Sequence, residues 1–363
     1  VEKIFLAVLQ MVPGIGSMRL RKLIEHFGNA QNVWNASKLD LQASGCIDRV
    51  TCDKLTELKK QSIDVDQFAF TWEKQKIHLC SYQDDIYPKK LKDIYNPPMI
   101  FFYRGNLAFA DRSIAIVGAR KASTYGRNIA RMLGCELTKA KFSVVSGAAR
   151  GIDTAAHQGA LEIGSTVAVL GCGVDVSYPP ENKNLLEQIA EVGLIISEYA
   201  PGTKPNPAFF PSRNRIISGL TDGTVVVEAA LKSGSLITAE YALNEGRDVF
   251  AVPGSIFSAT SKGCHKLIQQ GAKLVESISD ILEEYNVTYF KNEKSGNFML
   301  SEEEKAIYDL LSYNEPMTVD EIILKTRSNA SNINFILLQM ELRGLLHERG
   351  SHCYVRAMKE DIL

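Results

Sequence analysis

The sequence predicts an α/β protein, a mainly parallel sheet covered on both faces, with smaller helical domains before and after it. Between Lys76 and about Glu284, short apolar runs (Ile100 to Tyr103, Ile114 to Val117, Val144-Val145, Val167 to Leu170, Leu194 to Ile196, Val225 to Val227, Val249 to Val252) alternate with helix-length amphipathic stretches. Strand-then-helix alternation of this kind gives parallel strands joined by crossover helices. Residues up to about Gln75 instead carry apolar positions three and four apart, as in Leu20, Leu23, Ile24 and Phe27, which is a helical period. The polar stretch 286–299, with Lys291-Asn292-Glu293-Lys294-Ser295-Gly296, has too little apolar area to order itself and reads as a linker. The expected domains are therefore 1–75, 76–285 and, beyond the linker, a compact helical module over 300–363.

Charge narrows the function classes. The 363 residues hold 41 basic and 42 acidic side chains, a net charge of -1, which excludes a globally basic nucleic-acid coat and an acidic tail protein. Any polyanion site must be local, and the excess lies in the middle. From Arg112 to Val275 there are 17 Lys or Arg against 13 Asp or Glu, whereas 300–363 has 7 against 11. The chain has no apolar run of about 18 residues and starts Val1-Glu2-Lys3, so neither a membrane span nor a signal peptide is expected. Seven scattered cysteines without a C-x-x-C pair suit a reducing cytoplasm and give no metal site.

In the first domain, Pro13-Gly14-Ile15-Gly16 followed by Arg19, Leu20 and Leu23 places a tight turn between two helices. Such a turn leaves N–H groups uncovered at the next helix start, where an anion can dock, or simply lets the helices pack closely. Arg19, Arg21 and Lys22 would test the first alternative.

Four stretches of the central domain carry chemistry. Ser113 to Val117 is a buried strand that stops at Gly118 and delivers Arg120 and Lys121 before a helix from about Tyr125. Ligands of open α/β sheets bind beyond the carboxyl ends of strands, so Arg120 is placed for a phosphate. Val144-Val145-Ser146-Gly147 repeats the device, bringing Ser146, Gly147 and Arg150 close to an anion, with Asp153 as helix cap or anchor for Arg150. His157 reads as a helix-packing residue, because a general base needs an orienting partner. Pro205 to Phe210 is extended, and Phe209-Phe210-Pro211-Ser212-Arg213-Asn214-Arg215 sets two aromatics beside guanidinium groups, the recipe for holding single-stranded nucleic acid. One Phe can equally be core and one arginine paired with Asp222 or Glu228. Finally Lys232-Ser233-Gly234-Ser235 leads from a strand into a helix over 239–244 as an anion cradle. Neither a dinucleotide fingerprint nor a P-loop is present, so no nucleotide cofactor is expected.

Taken together, V-G-A-R at 117–120, S-G-A-A-R-G-I-D at 146–153, Y-P-P-E-N at 178–182, S-E-Y at 197–199, F-P-S-R-N-R at 210–215, K-S-G-S-L-I-T-A at 232–239, V-P-G at 252–254 and G-C-H-K-L-I-Q-Q-G-A at 263–272 resemble the DNA-processing protein A family (DprA, also called Smf). The resemblance implies an extended Rossmann domain that binds single-stranded DNA without a cofactor and is not an enzyme. It also implies a homodimer that helps load the RecA recombinase in natural transformation, with an N-terminal SAM- or helix-hairpin-helix-like domain. It places Arg120, Phe210, Arg213, Arg215 and Arg247 at the pocket and a dimer face at His265, Ile268 and Leu274, of which Ile268 and Leu274 can equally be core. The C-terminal module resembles a winged helix, with helices expected over 302–311, 318–325 and 330–343 and a hairpin over 344–356. Its third helix carries only Arg343 as a cation, which favours protein contact over duplex binding. The rival is a nucleoside-monophosphate phosphoribohydrolase of a related Rossmann group, whose P-G-G-x-G-T loop is replaced here by K-S-G-S.

Overall fold

The computed structural model describes residues 2–60, 65–287, 300–313, 315–350 and 352–357; most of the expected linker, residues 288–299, lies outside them. Contacts divide the chain into two compact units, Val1–Ala122 with Gly126–Val287, and the remainder.

The first unit is built on nine strands: β1 (His78–Ser81), β2 (Ile100–Gly105), β3 (Arg112–Val117), β4 (Phe142–Ser146), β5 (Thr166–Leu170), β6 (Leu194–Ser197), β7 (Gly223–Val226), β8 (Asp248–Ala251) and β9 (Lys273–Leu274). Their spatial order is β1-β2-β6-β5-β4-β3-β7-β8-β9. From β6 to β9 all neighbours are parallel, while β1 and β2 extend the edge antiparallel. The expected apolar runs became β2 to β8; β1 and β9 were not foreseen, being short edge strands with polar ends. Alternation fixes the two faces. Val167 and Val169 of β5 pack with Val145, Ile196 and Ile216, whereas Ala168 and Leu170 pack on the other side with Ile195, Ile189 and the N-terminal helices. Phe5, Leu9, Leu20 and Leu23 share that second core with Ile100 and Phe102 of β2, so residues 1–75 and the sheet form one compact unit. Order reverses between β3, whose successors β4 to β6 lie on one side, and β7, whose successors β8 and β9 lie on the other. That switch point opens a crevice at the carboxyl ends of the strands.

The turn between helices Glu2–Gln10 and Ser17–Phe27 serves packing. Ser17 donates its hydroxyl to the Glu198 carboxylate at 2.5 Å, so the anion at that helix start is the protein's own. Arg19 is bonded to the Gly14 carbonyl and paired with Asp48, Arg21 lies over the Tyr82 ring at 5.2 Å, and Lys22 is exposed.

In the second unit, helices Glu302–Leu310, Val319–Thr326 and Ala330–Leu342 are joined by a three-stranded sheet in the order Met317–Thr318, Cys353–Arg356, Leu346–Glu348, whose first strand precedes the second helix. Ser301 and Thr318 start their helices with capping boxes to Glu304 and Glu321, satisfying otherwise free N–H groups in both directions. Ile307, Ile322, Ile333, Leu337, Met340 and Leu346 form the core of this winged helix.

Arg215 and Glu198 form an ion pair in which both partners are buried, at 7% and 8% exposure, with both carboxylate oxygens 2.6 Å from one guanidinium nitrogen. Removing one partner of such a pair strands the other charge and costs about 3–5 kcal/mol. Arg215→Ala is therefore expected to lower the unfolding free energy by that amount in urea titration; a loss below about 1 kcal/mol would contradict this role.

Candidate nucleic-acid interface

At the switch point the loops after β3, β4, β5 and β7 surround a cavity of about 530 Å³ together with the helix Phe209–Gly219. Arg120, Asp153, Tyr178, Phe210, Asn214 and Ser233 to Ser235 line it, and Arg213 forms part of its wall. The stretch expected to be extended is helical from Phe209, with Pro211 in the first turn, where its missing N–H costs nothing. The helix sorts the residues. Phe210, Arg213, Asn214 and Ile217 recur three and four apart and share the face toward the cavity, whereas Arg215, five residues from Phe210, is turned to another side.

The R-N-R arginines are thus structural in different degrees. Arg215 does not reach the cavity; it is spent on Glu198, not on Asp222 or Glu228. Arg213 is 4% exposed and donates to the carbonyls of Gly147 (2.8 Å) and Val169, which fastens the helix to the ends of β4 and β5. A Cβ at Gly147 would lie 2.6 Å from the Arg213 guanidinium, so a larger residue there would displace that arginine. Between the two arginines Asn214 faces the cavity, its amide 3.3 Å from the Gly234 carbonyl.

Phe210 is half-buried, stacked on Tyr178 with centroids 5.6 Å apart, and the Arg120 guanidinium lies 5.1 Å over its ring. Phe209 stacks instead on Tyr199 at 4.2 Å. Arg120 is exposed and so is the adjacent Lys121, which does not line the cavity. On the opposite wall Ser233 caps the helix Gly234–Asn244, which begins five residues earlier than expected, and its hydroxyl lies 2.7 Å from that of Ser235. Gly234 and Lys232 are exposed at this corner.

Three further expected site residues are placed elsewhere or otherwise engaged. Ser146 ends β4 with its side chain inward, donating to the Ile116 carbonyl at 2.6 Å. Arg247 precedes β8 and donates to the Lys90 carbonyl at 3.1 Å, at the amino end of the sheet beside the Lys90–Asp222 pair. A parallel strand separates it from the carboxyl rim, which spacing along the sequence does not reveal. Arg150 is at the rim but is paired through both nitrogens with Glu181, not with Asp153. Asp153 accepts from the Ala149 N–H at 3.2 Å. Burial pushes its carboxyl up to about 6, opposed by Arg213 and by the Ala149 and Gly147 N–H groups. Tyr178 and Asn214 were not chosen from the sequence. Tyr178 stood in the Y-P-P-E-N motif, and Asn214 is found once the segment is read with a helical period.

The expected dimer residues divide. Ile268 packs against the sheet core, His265 lies half-buried with its Nε2 3.0 Å from the Gly254 carbonyl, and Leu274 is exposed. Among the described residues there is no metal-binding cluster of His, Cys, Asp or Glu, and no helix is long and apolar enough to cross a membrane.

Residues 78–286 match the family model of DNA recombination-mediator protein A, and 295–350 that of the DprA winged helix domain. The chain belongs to the DNA recombination-mediator protein A family. Within that family it is 41% identical to the DNA processing protein DprA of Streptococcus pneumoniae over 75% of this chain and 94% of that one. It is 32% identical to the protein Smf of Synechocystis over 98% and 99% of the two chains. The X-ray structure of DNA processing protein A from Streptococcus pneumoniae superposes with a TM-score of 0.66, covering 78% of this chain and 97% of that one. The structure describing the single-stranded DNA binding mode of DNA processing protein A from Helicobacter pylori, 28% identical, gives 0.53 over 59% and 98%.

His157 is fully buried beneath this site, its Nδ1 2.8 Å from the Thr166 hydroxyl, and burial pulls its pKa from 6.5 down to about 3. The unfolded chain therefore takes up a proton that the folded one refuses between those values. Stability is expected to fall as pH drops from about 6.5 toward 3, by about 1.4 kcal/mol per unit from this group. Urea titrations across that range check this, and a His157→Gln variant with the same slope as the parent would contradict it.

Proposed function

We propose that this member of the family binds single-stranded DNA in the switch-point cavity, without base specificity, and serves recombination. The observation that carries the reading is the pairing, across one cavity, of a solvent-facing guanidinium (Arg120) lying over an aromatic ring (Phe210) with a capped helix start at Ser233 to Ser235. The first gives charge and stacking, and the second gives N–H groups to a phosphate. The relative from Helicobacter pylori described with its single-stranded DNA binding mode supports the same ligand. Arg120, Lys121, Gly147, Phe210, Lys232, Ser233, Gly234 and Ser235 form the contact set of this reading, with Arg150 joining when Glu181 releases it. Arg213 and Arg215 act by holding the helix.

The reading extends to a homodimer formed through the face of Leu274 and His265, to loading of a RecA-type recombinase in transformation, and to a cytoplasmic location. It makes the chain a binding protein, not an enzyme. Glu228, the acid that a phosphoribohydrolase would need exposed, is 3% exposed. Incubation with AMP and assay for free base separates the two. The winged helix serves protein contact in this scheme, since Phe335, Leu338 and Leu342 are exposed on its third helix and Arg343 pairs with Glu304.

Binding of oligo-dT is expected to weaken with salt, each phosphate contact contributing about 0.7 to the logarithmic slope. Arg120→Ala lowers both affinity and slope, by about 0.7 in the latter. Phe210→Ala lowers affinity by about 1–3 kcal/mol with the slope nearly unchanged, because stacking releases no counterions. Parent-like binding by both variants in an anisotropy titration would place the DNA elsewhere. Below pH about 6, protonation of Asp153 removes a negative charge from the cavity, so affinity rises as pH falls through that value, and Asp153→Asn flattens the profile.

A further inference from the structure

Beyond β8, the next strand out from the cavity, the segment Val252 to Ser261 projects two large apolar side chains into solvent. Ile256 is 72% and Phe257 91% exposed. The loop is not slack. The Ser258 N–H bonds the Ser255 carbonyl at 3.0 Å, the Phe257 N–H reaches the Ser255 hydroxyl at 3.3 Å, and the Ser258 and Thr260 hydroxyls lie 2.9 Å apart. It is tied to the loop that forms the cavity wall, since Ala229 donates to the Thr260 carbonyl at 2.6 Å and Gly263 to the Ala229 carbonyl at 2.7 Å. On that neighbouring loop Leu231 is 57% exposed and Lys232 is exposed, and Lys262, also exposed, opens the helix Lys262–Gln269.

The two chain stretches that meet here carry charge of one sign. No Asp or Glu occurs from Ala229 to Ala239 or from Pro253 to Val275. Glu228, which precedes the first stretch, is buried and accepts from the Thr260 hydroxyl at 3.5 Å. A fixed, exposed aromatic on loops that carry exposed lysines and no carboxylate suits an unpaired nucleic acid: π-faces for the ring and phosphates for the cations. Because every loop concerned follows the carboxyl end of a parallel strand, all lie on one rim. From Tyr178 after β5 to Phe257 after β8 there are four strand spacings, about 19 Å at about 4.8 Å each. That is about six nucleotides at a stacked rise of about 3.4 Å.

We propose that Phe257 is a second stacking position for the DNA strand, flanked by Lys232 and Lys262, which receives bases leaving the cavity toward the β8 edge. The proposal rests on the reading of the cavity as a single-stranded DNA site, and extends it to a track along the rim.

The test titrates the full chain with oligo-dT of about 20 nucleotides and of about 4, the latter short enough to occupy the cavity alone. Phe257→Ala is expected to weaken the long oligomer about five-fold or more, with the salt slope unchanged, and to leave the short one within two-fold of the parent. Phe257→Trp restores the affinity, and its emission is quenched on binding the long oligomer. Lys262→Ala lowers the slope for the long oligomer only, by about 0.7. If Phe257→Ala binds the long oligomer like the parent while Arg120→Ala still weakens it, the proposal is overturned and the cavity reading stands. If the parent binds neither oligomer, both fall. If sedimentation shows that Phe257→Ala only weakens self-association, with DNA affinity unchanged, the tip is a contact between copies and the proposal is overturned.

Discussion

The candidate site depends on how one helix is fastened to the edge of a sheet. Phe209–Gly219 carries the aromatic and amide groups that face the cavity, and it is held there by two guanidinium groups that do not themselves project into solvent. Arg213 reaches under the helix to the carbonyls that end β4 and β5, at Gly147 and Val169. Arg215 reaches the other way, to the Glu198 carboxylate just after β6. Near the strand ends a buried arginine takes up two backbone carbonyls with one rigid group. The gain is positional: Phe210 and Asn214 are fixed relative to loops that come from three other strands.

The same carboxylate links the site to the N-terminal helices. Glu198 takes Arg215 from the site helix and the Ser17 hydroxyl from the helix that follows the glycine turn, while Gln10 donates to its backbone carbonyl at 2.5 Å. Two donors on the carboxylate, one of them a guanidinium, offset the cost of its desolvation. A turn that by composition could receive an external phosphate is thereby closed by an internal anion.

The architecture was legible because buried parallel strands write themselves as continuous β-branched runs. Ile114 to Val117 and Val225 to Val227 needed no further information, and Gly118, Gly147 and Gly234 marked the loop ends. Which cations face the ligand was less legible. Arg120 follows a strand directly, so its side of the sheet is fixed by the fold. Arg213 and Arg215 follow a proline-rich stretch, 205–210, expected to be extended, and only the helical period separates a cavity wall from an internal ion pair. Arg247 failed for a different reason: a position just before β8 and one just after β3 are neighbours in motif order but lie at opposite ends of the sheet. Phe257 could not be ranked from sequence at all, since an aromatic after a buried strand is more often core, and its exposure is a tertiary fact.

The most direct test of the account is a structure of this chain with a short oligo-dT. The account places a phosphate within hydrogen-bond distance of Arg120 and the N–H groups at Gly234, and a base on the Phe210–Tyr178 side of the cavity, with Arg213 and Arg215 still in their internal bonds. A strand lying on another face, or one held by Arg215 after it has left Glu198, would contradict it.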